Sequence, residues 1–285
     1  VKCGTLSQVT HGYALRCKAP GCPSCRSLHA TRNRRKAQEA FDGASNERSA
    51  HVTIIFAALS ELGAPEGGDM DRAIEKARRD LRNFVDRMRT KDRRWRNFTL
   101  IGWLEVDAVD GADLPLLASD RGQLLAGLGA RVTAAPVWIA TMHGLTRFDG
   151  LPWQEVRDAF ASQWSLANQV KVEPFHGHLT VDQNVENLVA YALKHRCTTS
   201  IGGAHHPWPA RWMSDFYQWL DQWSGSLKRT RIKLGSQQQA RDKDKKNNKK
   251  DNMNNESIDE EEDGLFDHHD PLPFTLEISV FSSLY

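Results

Sequence analysis

The residues best equipped to do chemistry lie in the segment Asn187-Leu-Val-Ala-Tyr191-Ala-Leu-Lys194-His195. An α-helix repeats every 3.6 residues, so Tyr191 shares a face with both Asn187 and Lys194. That face would present a phenol nucleophile, a cation and an amide together. About fifty residues earlier, Val137-Trp-Ile-Ala-Thr141-Met142-His143-Gly144 reads as a strand. Side chains alternate along a strand, which puts Thr141 and His143 on the same side. A carboxylate, Glu105, interrupts another apolar strand-like run, Phe98 to Asp107. A histidine and a carboxylate can hold Mg2+ or Mn2+, which polarises a phosphoryl oxygen as a Lewis acid. With Tyr191 this is the minimum kit for cutting a phosphodiester by tyrosine attack. Each residue also has an ordinary reading. Tyrosine on an amphipathic helix usually packs, and a lone histidine on an apolar strand is usually a core residue. A literal histidine pair, His176-Gly-His178, follows Pro174 in a loop-like stretch and is the alternative metal pair.

A second metal site is suggested by the cysteines. Cys3, Cys17, Cys22 and Cys25 crowd the start of the chain, and Cys197 stands alone. The spacing Cys17-x4-Cys22-x2-Cys25 suits tetrahedral zinc, with Cys3 or His11 as fourth ligand. Residues 1–36 then read as an irregular zinc knuckle with a basic exit, folded by its metal. Clustered cysteines in a reducing compartment more often bind metal than form disulfides.

The elements that must position these groups follow from periodicity. His51 to Leu59 is β-branched and apolar, a buried strand. Over 70–90, Ile74, Ala77, Leu81, Val85 and Met88 trace one helical stripe, with Arg78, Arg79, Arg82, Arg87 and Arg89 mostly elsewhere. Phe98 to Asp107 and Val137 to Phe148 are strands, and 120–130 a short helix. Trp153, Val156, Phe160 and Trp164 mark another helix, Val170 to Phe175 a short strand, and 182–196 the helix of Tyr191. A Trp-rich helical extension spans 201–235. The expected fold is therefore α+β, a central, mainly antiparallel sheet flanked by helices. The nuclease-like part occupies 50–200.

Bulk properties narrow the classes. The chain has 285 residues, 40% apolar and 26% charged, enough for a real core. Its net charge of +2 hides segregation: 228–250 holds ten Lys/Arg against two Asp, while 256–270 is acidic. The basic run is either a solvated tail or an arm for nucleic acid. Residues 236–264 are too polar to offset ordering entropy and are expected to be disordered, and the apolar 272–281 to add an edge strand or a docking tail. No apolar run approaches the ~18 residues that span a bilayer, and no secretory signal is visible, so the reading is cytoplasmic. There is no Gly-x4-Gly-Lys-Ser/Thr loop to drive a helicase with ATP, and no Gly-x-Ser-x-Gly elbow.

The order of these pieces resembles the rolling-circle replication initiators of bacterial plasmids and phages, in the HUH endonuclease superfamily. The likeness runs from about residue 14 to 196: a cysteine-rich start, the strand at His51–Leu59, a basic helix, Gly102-Trp-Leu-Glu105-Val, Thr141-Met142-His143 and Tyr191-x-x-Lys194. It implies a Rep-like sheet domain that nicks and rejoins one DNA strand at an origin. Tyr191 would be the nucleophile, Lys194 the phosphate cation, and His143 and Glu105 the ligands of Mg2+ or Mn2+. It also implies DNA, a host helicase and a polymerase as partners. One departure stands out. The family's first metal-binding histidine is Thr141 here, and a hydroxyl is a poor replacement for imidazole. The other readings are a related transposase or relaxase, or a zinc-knuckle DNA-binding protein whose nuclease site has decayed.

Overall fold

The computed structural model describes residues 22–63, 68–117, 119–194, 197–201, 204–222 and 230–235. Cys3, His11, Cys17, the charged tail over 236–264 and the apolar segment 272–281 lie outside them. In chain order the elements are α1 (Pro23–Phe41), β1 (Ser49–Leu59), α2 (Asp69–Lys91), β2 (Thr99–Asp110), α3 (Ser119–Gly127), β3 (Pro136–Arg147) and α4 (Trp153–Gln163). Then come β4 (Val170–Pro174), α5 (Val181–Ala192), β5 (Thr198–Ile201), β6 (Ala204–Pro207), α6 (Ala210–Gln222) and β7 (Arg231–Leu234). The fold is α+β.

Five strands form one sheet in the order β4-β1-β3-β2-β7, every neighbour antiparallel. Its centre is the β2–β3 pair, in unbroken register from Thr99↔Arg147 to Asp110↔Pro136. These strands read as nearly continuous apolar runs because both faces are covered. On one face lie Leu100, Leu104, Val106, Ala108, Ala140 and Met142, packed with Ile74, Leu81 and Phe84 of α2, Phe160 of α4 and Phe216 and Trp219 of α6. Fully burying one such large apolar side chain is worth about 1.5–3 kcal/mol. The Trp-rich segment thus belongs to the same core; it is no separate extension. Its Trp219 Nε1 donates to Asp71 Oδ1 at 3.0 Å.

The other face is divided. At one end Ile101, Trp103 and Leu145 pack under α1 and α5, against Ala37, Phe41, Leu188, Val189 and Ala192. At the other end Val109, Val137 and Ile139 pack under α3 and the turn Gly111–Leu116, against Leu114, Leu117 and Leu125. Between these two patches the same sheet face carries a short band of polar side chains, Glu105 and Asp107 of β2 and Thr141 and His143 of β3.

Two sequence expectations about position are corrected. Residues 23–36 are not an irregular knuckle: they form the first turns of α1, with Pro23 opening the helix, Cys22 just before it and Cys25 buried within it. Asn33 fixes α1 to the sheet by accepting from Trp103 Nε1 at 3.1 Å. Residues 231–234 are not part of an arm but strand β7, hydrogen-bonded to Leu100–Trp103. The arginines of α2 also read differently. The helix lies on the face opposite the polar band, and several of its cations pair with its own carboxylates: Lys76 with Asp80, Arg78 with Glu75, Arg89 with Asp86. No described helix is long and apolar enough to cross a membrane.

Candidate active site

The band between the two apolar patches is where the candidate chemistry collects. Glu105 and Asp107 of β2 point into it, because they follow Trp103 at the strand period of two. Across the ladder Glu105 stands opposite Thr141, and His143 opposite both Trp103 and Thr53 of β1. Glu105, Thr141 and His143 are 7%, 7% and 2% exposed, so the apolar flanks hold these groups out of water.

His143 is fixed from both sides. Its Nε2 lies 2.8 Å from Glu105 Oε2, and its Nδ1 lies 3.2 Å from Thr53 Oγ1. The Tyr191 ring meets the imidazole edge-on, with centroids 4.9 Å apart and planes at 84°. Tyr191 arrives from α5, whose start is set by a capping box between Thr180 and Gln183. The buried Asn184 side chain ties the preceding loop to that helix. It accepts from His176 N at 3.0 Å and donates to the carbonyls of His176 and Thr180 at 3.1 and 3.0 Å.

Helix α5 ends at Ala192, earlier than its sequence suggests, and Lys194 is exposed just beyond Leu193. The Lys194 backbone N–H donates to the Tyr191 carbonyl at 3.2 Å. His176 and His178 do not join the band. They sit past the end of β4, their rings 5.6 Å apart, with His176 5.7 Å from the ring of His51. Gly144 is likewise placed elsewhere. It lies on the sheet face opposite His143, where an added Cβ would press on Val52 at 3.1 Å and the Ile101 carbonyl at 3.2 Å, so its smallness serves sheet packing.

Three groups in the band lie outside the sequence-derived set. Thr53 reaches His143 only through strand pairing, which the order of residues does not reveal. Asp107 is the second carboxylate of the alternating run Glu105-Val-Asp107, a signal present in the sequence. Arg121, in the first turn of α3, bonds Asp107: its Nη2 lies 3.3 Å from Asp107 Oδ2, both side chains being 17% exposed. Burial pushes the Asp107 carboxyl up to about 7, the charge of Glu105 adds to this, and Arg121 opposes it. A bulge in β1 between Ile55 and Ala57 borders the band. Gln169 holds it, donating from Nε2 to the Ile55 carbonyl at 3.1 Å.

The fit of a divalent ion can be judged on these distances. Two neighbouring ligands of an octahedral ion, each at ~2.1 Å, stand ~3 Å apart. The 2.8 Å between Glu105 Oε2 and His143 Nε2 matches that spacing. The pair fits as two ligands, with further oxygens on Thr141 and Asp107 of the same sheet face. Among the described residues no three His, Cys, Asp or Glu side chains stand close enough to hold an ion as they are.

No protein-family model matches this chain, and neither a curated protein nor a solved structure does.

Proposed function

We propose that the protein nicks and rejoins a single DNA strand, forming a covalent link through Tyr191, in the manner of an HUH-type replication initiator. One observation carries this reading: a tyrosine from the last turn of a helix packs edge-on against a buried histidine that is itself bonded to a buried glutamate. A packing role alone would not need an ionisable pair beneath the ring, where burial penalises charge.

In the proposed reaction the Tyr191 oxygen attacks the scissile phosphorus. The P–O3′ bond breaks, a tyrosine–O–P bond forms, the phenol proton is lost to solvent, and the departing 3′ oxygen takes up a proton. The product is a 5′-phosphotyrosine and a free 3′-OH. One phosphodiester replaces another, so the reverse attack by a 3′-OH reseals the strand without ATP. Glu105 and His143 would hold Mg2+ or Mn2+, which supplies Lewis-acid polarisation of a phosphate oxygen. Thr53 fixes the imidazole through Nδ1, leaving Nε2 directed at Glu105. The apolar patches on either side keep water from the band, which strengthens every charge interaction within it. The role at an origin, the structural zinc of Cys3, Cys17, Cys22 and Cys25, and the host helicase and polymerase belong to the same proposal. The zinc rests on the cysteine spacing, and the others on the likeness in motif order.

The test is covalent capture. Labelled single-stranded oligonucleotides of randomised sequence, incubated with the protein and Mn2+, should yield an adduct resistant to denaturation, and Tyr191→Phe should yield none. An adduct that survives in Tyr191→Phe removes the assignment.

A further inference from the structure

This inference rests on the reading just proposed and concerns how the DNA strand reaches Tyr191. The sheet register sets Lys171 of β4, Thr53 of β1, His143 of β3 and Trp103 of β2 in one row. Residues opposite each other in a ladder share a face, so this row lies on the face of the band. Arg231 of β7 extends it beyond Trp103.

Exposure rises along the row toward β4. Trp103 is fully buried and bonded to Asn33 of α1. His143 is 2% exposed, Thr53 is partly buried, and the Lys171 side chain is 39% exposed. The next row repeats the trend: Glu105 and Thr141 are buried, and Ile55 of β1 is partly exposed. The two ends of the band are covered by the apolar patches under α1 and α5 and under α3. Among the described residues the band therefore opens toward β1 and β4.

Lys171 stands at that opening. Neighbouring strands lie about 4.8 Å apart, so its Cα is about 10 Å from that of His143. Thr53 lies between them, its Oγ1 3.2 Å from the imidazole Nδ1. The Tyr191 ring lies against the same imidazole, with centroids 4.9 Å apart. Lys171 and Tyr191 thus flank the stretch of sheet made by Thr53 and His143, and the four-carbon stem of a lysine spans one strand spacing. The Lys171 Nζ meets Glu173 Oε1 at 2.9 Å, both side chains being well exposed, and an ion pair so placed is weak. An ammonium has three N–H donors, so it can keep Glu173 and still donate to a phosphate oxygen. A cation here also offsets the like charge that Glu105 presents to an incoming phosphodiester.

We infer that Lys171 holds a backbone phosphate of the incoming single strand, beside the scissile one, at the open β1–β4 side of the band. Glu173 competes with that phosphate for the ammonium.

The experiment measures single-turnover adduct formation with Mn2+ on the single-stranded sequence recovered from the randomised pool. The proteins are the wild type, Lys171→Ala, Lys171→Arg, Glu173→Gln and Arg231→Ala, each checked for folding by circular dichroism. Lys171→Ala should raise half-saturation by DNA about tenfold and change the saturating rate less than about threefold. Its log–log dependence of affinity on salt should flatten by about 0.7, the value for one phosphate of a single strand. Lys171→Arg should restore both, and Glu173→Gln should tighten binding. Arg231→Ala removes a cation at the covered end of the same row and should stay within about twofold of wild type. A single methylphosphonate beside the cut should reproduce the loss in the wild type and add nothing in Lys171→Ala. Unchanged half-saturation and salt slope in folded Lys171→Ala overturn the inference. So does an equal loss in Arg231→Ala, which marks general charge attraction, or in Glu173→Gln, which marks a merely structural pair. The parent reading fails separately, if Tyr191→Phe still forms the adduct.

Discussion

His51 offers a sharp test of how the sheet and the Tyr191 helix are held together. It lies on β1 opposite Leu145, 6% exposed, with its ring 4.8 Å from that of Phe175. Burial pulls its pKa down to about 4 from 6.5, the charge of His176 adds to the effect, and a hydrogen bond with the Asn184 backbone opposes it. A folded-state pKa below the unfolded one means that the unfolded chain binds the proton more readily. The resulting stability is fully present above pH 6.5 and is lost as pH falls through about 4. The full difference corresponds to about 3 kcal/mol, of which about 2 kcal/mol has gone by about pH 5. The perturbation is His51→Gln, which keeps a polar side chain but cannot take up a proton in this range. Urea unfolding of both proteins, in chelator, between about pH 7.5 and 4 supplies the free energies. The variant should be less stable at neutral pH, having lost the ring packed on Phe175, yet its profile should be flatter by about 3 kcal/mol over that window. Parallel profiles would refute the reasoning, because some other group would then be taking up the proton.

The remaining expectations concern the band and its supports. Asp107→Asn should stabilise the metal-free protein at alkaline pH. The carboxyl is pushed up to about 7, so its contribution is present below its ordinary value of 3.8 and lost as pH rises through about 7. The full effect is about 4 kcal/mol, and an unchanged urea midpoint at about pH 8 would contradict it. Asn184→Ala should cost about 1–3 kcal/mol in urea unfolding, since the buried Asn184 side chain supplies the partners of the His176 N–H and carbonyl and the Thr180 carbonyl. His143→Ala should abolish Mn2+ binding by titration calorimetry; retained binding at the wild-type affinity would move the ion elsewhere.

Much of this arrangement can be read from the chain, and the gaps have physical causes. The long strands β2 and β3 and the stripe of α2 are legible because their apolar residues repeat at the periods of strand and helix. The pairing of Glu105 with Thr141 and His143 follows once the two strands are antiparallel, but their register is set by contacts far apart in sequence. Helix α1 is hidden because its buried side is sparse: Cys25, Ala37 and Phe41 lie among Arg, Lys, Gln and Asn, and the buried Asn33 looks polar until Trp103 is beside it. Strand β7 is hidden for a similar reason. Arg231-Ile-Lys-Leu234 alternates correctly, but it sits in a run whose charge dominates the eye. The end of α5 at Ala192, just before Lys194, is announced by neither a glycine nor a proline. Thr53 and Arg121 carry no local signal at all, because each matters only through the partner that tertiary structure gives it.

The central claim is that Tyr191 is the nucleophile above the His143–Glu105 pair. Its most direct test is mass spectrometry of the trypsin-digested DNA adduct formed with Mn2+ and randomised single strands. The account predicts a nucleotide remnant joined through phosphate to the peptide containing Tyr191, absent in Tyr191→Phe. A remnant on another residue, or none from a folded protein that binds the DNA and Mn2+, would contradict it.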